Sequence, residues 1–157
     1  MRLVRPLSFG VLCGSCWAFF PVTMIGLDRP AGQLLTVLIS GAAAGVATSY
    51  LLLVGAFLLR LGASKRHQSC KTGLLGVVSL LIGAFIFGAL LAQLHLLLAR
   101  HTGIAYRFAE QMPQTAPLEL GLQYALGSIL CPFSLLFVPL AIISTRLLIR
   151  TMAGVSS

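Results

Sequence analysis

Residues 34–59 read LLTVLISGAAAGVATSYLLLVGAFLL, twenty-six positions without a charged side chain, and Arg60 follows at once. A helix rises ~1.5 Å per residue, so about twenty apolar residues cross a hydrocarbon core of about 30 Å. This stretch exceeds that length and predicts a membrane span with some tilt.

Working outward, three further runs have the same character. Residues 7–26 lie between Arg2/Arg5 and Asp28-Arg29-Pro30, residues 73–99 lie between Lys71 and Arg100, and residues 120–144 end before Arg146. The last run holds Pro132 and Pro139. Each proline removes a backbone donor, so a kink is expected there, satisfied by neighbouring helices. The predicted fold is all-α, a polytopic transmembrane four-helix bundle forming one domain over residues 1–157.

Composition agrees. The 157-residue chain is 58% hydrophobic and 9% charged, whereas a soluble domain carries about 25% charged residues. The first run has a basic start, as a signal peptide would. It is long and lacks a small-residue cleavage site, so an uncleaved helix is expected.

The basic residues set the expected orientation. Arg2, Arg5, Arg60, Lys65, Arg66, Lys71, Arg146 and Arg150 fall on one side. Arg29, Arg100 and Arg107 share the other with all three acids, Asp28, Glu110 and Glu119. That split predicts both termini in the cytoplasm, and a bacterial inner membrane is the expected compartment. The net charge of +8 thus belongs to the helix ends rather than to a nucleic-acid face, which would interleave aromatics with the basic residues. The basic 60–71 loop is expected to meet anionic headgroups of the bilayer. Between the third and fourth runs, Ile104, Phe108 and Met112 recur every four residues. That spacing suggests a short amphipathic helix over 104–112 on the outer surface.

Helices in lipid gain little by hiding apolar surface, so they associate where small residues allow close approach. Gly10 and Gly14 form G-x-x-x-G. Gly41 and Gly45 form it again, extended by Ser49 and flanked by Ala44 and Thr48. Ala84, Gly88 and Ala92 make a small-residue stripe in the third run, and Gly127, Ser128 and Cys131 lie beside Tyr124 in the fourth. Gly10, Gly14, Gly41, Gly45, Ser49 and Gly88 are therefore the expected helix-packing interface. The strongest motif, Gly41 with Gly45, is the expected contact with a second copy or another membrane protein.

Chemistry-bearing residues are few. Cys13-Gly14-Ser15-Cys16 is a C-x-x-C pair, the pattern of thiol redox sites. It lies inside the first run toward the cytoplasmic side, unlike the exposed pairs of four-helix membrane thiol oxidoreductases. His67 and Cys70 are two ligand types where a zinc site normally takes four. Gln93, His95, Gln123 and Tyr124 fall at similar predicted depth and form a candidate outer-leaflet polar cluster, His95 being ionisable within a span. No Asp, Glu, Lys or Arg lies deep in any run, which argues against a proton-coupled pump. There is no nucleophile–base set, H-E-x-x-H or phosphate-binding glycine loop.

These features predict a small accessory or scaffold membrane protein that acts by helix–helix contact, with no enzymatic activity, cofactor or metal. A minimal oligomeric transporter or channel using the polar cluster is the alternative. A membrane thiol redox protein is the second alternative.

Overall fold

The computed structural model describes residues 4–25, 31–58, 68–102, 117–130 and 134–153. All are helical: α1 (Val4–Ile25), α2 (Ala31–Leu58), α3 (Gln68–Thr102), α4 (Pro117–Leu130) and α5 (Ser134–Ala153). The candidate surface helix over 104–112, and Arg60 to His67 of the basic loop, lie outside the described residues.

Two stretches, Leu34–Leu58 of α2 and Cys70–Leu94 of α3, are long and apolar enough to cross a membrane. This is consistent with a membrane location. α1 contributes a shorter apolar stretch, Pro6–Ala18. α3 runs through 35 residues, about 52 Å at ~1.5 Å per residue, and so overshoots a hydrocarbon core of about 30 Å.

The fourth predicted span, residues 120–144, falls on two described helices, with residues 131–133 between them outside the described residues. These helices are α4 and α5, whose axes are bent by 100° from each other. The sequence between them is Cys131-Pro132-Phe133. Proline lacks the amide that continues a helix and disfavours the helical region for the residue before it, so a sequence of this kind commonly falls between two helices. Pro139, by contrast, sits inside α5. The described residues thus form five helices where four were expected.

Close approach dominates the packing of α1 on α2. A Cβ added at Gly10 would lie 2.6 Å from the Cα of Val46 and 2.8 Å from the carbonyl oxygen of Gly45. One at Gly14 would run into the Gly41 carbonyl, and one at Gly41 would lie 2.6 Å from the Gly14 carbonyl oxygen. The two G-x-x-x-G motifs therefore dock on each other, with backbone against backbone. A side chain there has nothing flexible to displace. Overpacking typically costs about 1–3 kcal/mol even where side chains can shift.

α3 is the central element, touching α2 on one side and α4 and α5 on others. At Gly88 a Cβ would lie 2.8 Å from the Leu120 carbonyl oxygen and 3.0 Å from the Gly121 Cα. At Gly76 it would lie 2.9 Å from the Cα of Ile142 in α5. Ala18, Val37, Ala44, Phe87 and Leu91 make a small buried cluster, with Leu34, Ile86 and Tyr124 against it. The outer surface is apolar instead: Phe57 is 83% exposed, Leu130 78% and Leu135 87%. A soluble monomer seldom shows contiguous apolar patches of this extent, whereas lipid tails solvate such a surface freely.

A candidate apolar chamber between the helices

The docked glycines hold α1 and α2 together, while the rest of the molecule packs on α3. Between these two groups lies a chamber of about 490 Å³ lined by residues from all five helices. That is within the size range of ligand pockets, about 300–1,000 Å³. Among the described residues α1 touches α5 lightly and α4 not at all.

Helix register orders its wall. Gly10 of α1 lies against Gly45 of α2, Thr48 of α2 against Gly83 of α3, and Ile142 of α5 against Gly76 of α3. One end is therefore formed by Phe9, Leu52, Ser79 and Thr145, the other by Ala18, Gly41, Phe87 and Tyr124. Gly41 and Leu52 are eleven residues apart on α2, which at ~1.5 Å per residue makes the chamber about 16 Å long. Trp17 and Phe137 join α1 to α5 across the chamber wall, with ring centroids 4.9 Å apart at 57°. Phe87 and Tyr124 meet edge-on at 5.3 Å and 77°.

Among the described residues no charged residue or histidine lines the chamber. Three of its hydroxyls are turned back onto their own helices. Thr48 donates to the Ala44 carbonyl, Ser79 to that of Gly76 and Ser128 to that of Ala125, each at 2.7 Å. Away from the chamber Ser40 does the same to Thr36, also at 2.7 Å. Such back-bonding satisfies a hydroxyl without water or a partner helix. Cys13 and Ser144 lie within hydrogen-bonding reach of each other. Thr145 differs from all of these. It is 1% exposed, and among the described residues its Oγ1 is the buried side-chain polar atom with no partner.

The predicted site residues fall into three groups. Gly10, Gly14, Gly41 and Gly45 come together, with Ser49 buried nearby on the chamber wall, while Gly88 serves a separate contact between α3 and α4. The face of Gly41 and Gly45, expected to recruit a second copy, is filled by α1. The reason is steric: glycines on both sides allow an approach that a larger residue on either would prevent. The polar cluster is divided. Gln123 and Tyr124 line the chamber, Gln93 is exposed on α3 and lies outside it, and the side chain of His95 is outside the described residues. Among the cysteines, Cys13 is half-buried on the chamber wall, whereas Cys16 and Cys70 are exposed, and all three are free thiols. No group of three or more metal-ligating side chains occurs among the described residues.

The chamber itself, the Trp17–Phe137 contact and Thr145 did not emerge from the sequence. Comparisons with protein-family models, curated proteins and solved structures find no match for this chain.

Proposed function

We propose that the chain is a small, non-enzymatic accessory protein of the membrane whose helices hold an apolar guest between them. The chamber carries this reading. Its wall is predominantly apolar, and the hydroxyls of Thr48, Ser79 and Ser128 are satisfied within their own helices. Apolar cavities exclude water and accept apolar molecules, and in a bilayer the nearest such molecules are lipid tails. In this reading both termini face the cytoplasm of a bacterial inner membrane. Lys71, Arg146 and Arg150, all exposed, then lie at the inner ends of their helices, with the basic loop against anionic headgroups. A transporter would use the same chamber, with Gln123 and Tyr124 on its wall.

Thermal unfolding of the purified chain in detergent tests the proposal, with and without excess 1-bromododecane. A guest bound only by the folded state stabilises it by about 2.7 kcal/mol at a hundred times its dissociation constant. The melting midpoint should rise for the native chain. It should not rise for Ala84→Phe, whose ring occupies the chamber. Equal midpoints with and without guest in the native chain would contradict the proposal.

Contact with another membrane protein is the second reading, and one observation favours it. A Cβ at Gly127, an exposed position of α4 at the edge of the chamber, would meet nothing within 4 Å, so a partner helix could approach α4 closely there. Gly127→Leu should then abolish co-purification of that partner while the chain itself stays folded. Unchanged co-purification would count against this surface.

A further inference from the structure

We infer that the guest carries one uncharged hydrogen-bonding atom, a hydroxyl or carbonyl oxygen at the end of a single apolar chain, which the Thr145 hydroxyl receives. The inference rests on the chamber reading and adds the chemical class of the ligand.

Four comparable hydroxyls, those of Ser40, Thr48, Ser79 and Ser128, each donate to a carbonyl one turn back. Thr145 has the Ala141 carbonyl in the corresponding place and does not use it, leaving Oγ1 buried without a partner. A buried unpaired hydroxyl is costly, and native proteins seldom leave one without a reason. Thr145 stands on the chamber wall, and so do Ser144 and Cys13. Rotation about its Cα–Cβ bond moves Oγ1 between staggered positions without disturbing the helix. A neutral polar atom suits the site, because among the described residues no charged side chain lines the chamber and a lone ion there would be unpaired. The chain of the guest then points to the far end, toward Phe87 and Tyr124 and past Trp17.

That arrangement suggests its own probe. The chain has one tryptophan, Trp17, and it lies toward the end away from Thr145. Bromine quenches indole fluorescence at short range. Two ligands are titrated into the purified full-length protein in detergent: 12-bromododecan-1-ol and 1-bromododecane. The alcohol should saturate at a concentration about fivefold to tenfold lower than the alkane, the equivalent of one neutral hydrogen bond. Thr145→Val should erase that preference while leaving the bromoalkane curve in place, and Thr145→Ser should keep it. Because the hydroxyl has no partner in the empty protein, Thr145→Val should also leave the melting midpoint unchanged or raised. Equal binding of the two probes by the native chain, or a preference that survives Thr145→Val, overturns the assignment of Thr145 and leaves the chamber reading standing. If neither probe gives a saturable signal, the chamber reading falls, and the inference falls with it.

Discussion

The α1–α2 pair and the α4–α5 pair contrast in how closely their backbones approach. In the first pair glycine faces glycine at two levels one turn apart, and carbonyl oxygens sit where side chains would be. In the second pair the helices diverge by 100° and touch little. The contrast shows how helices docked backbone against backbone can be firm and open at once. Close packing is concentrated at Gly10, Gly14, Gly41 and Gly45, and again at Gly88 and Gly121. Helices held so firmly at those points need not meet elsewhere, and the chamber lies where they do not.

The glycine contacts are the place to break the contrast with the largest effect. Gly14→Leu places a side chain where the Gly41 carbonyl lies, and neither backbone can move aside without parting the helices. Destabilisation at or beyond the upper end of about 1–3 kcal/mol is expected, read as loss of the folded species in a thermal or denaturant titration. Gly88→Leu should cost a similar amount or somewhat less. One of its neighbours is the Tyr124 ring, which can rotate, although the Leu120 carbonyl and Gly121 cannot. A stability loss at Gly88 larger than at Gly14 would reverse the ranking of the two contacts. Trp17→Ala comes next. It removes the aromatic contact with Phe137, worth about 0.5–1.5 kcal/mol beyond the area buried, and should loosen α1 from α5 without parting α1 from α2. A cysteine cross-link between α1 and α2 that forms equally well in this variant would check that distinction. The smallest effect belongs to Gly127→Leu. Its added side chain meets open space, so stability should change by no more than about 0.5 kcal/mol.

Parts of this arrangement are legible in the sequence. A four-residue spacing puts Gly10 with Gly14, and Gly41 with Gly45, on one face of a helix each. Small residues there signal close approach. The pairing of those two faces with each other is not legible, because spacing identifies a face and tertiary packing chooses what it meets. The two prolines make the same point. Pro132 separates two helices and Pro139 lies within one, yet both follow an apolar residue and precede another. Taken as a span boundary, Arg146 ends the fourth run at Ser144 and leaves Thr145 outside it. The helix goes on to Ala153, carrying the almost fully buried Thr145 and Leu148. The chamber has no sequence signature of its own. It is the space left between helices whose contacts are set elsewhere.

The central claim is that this space takes an apolar guest, and quenching of Trp17 by 1-bromododecane tests it most directly. The account predicts a saturable quench in the native chain and only a shallow, linear one in folded Ala84→Phe, where the ring fills the chamber. Linear quenching of the same slope in both proteins would contradict it.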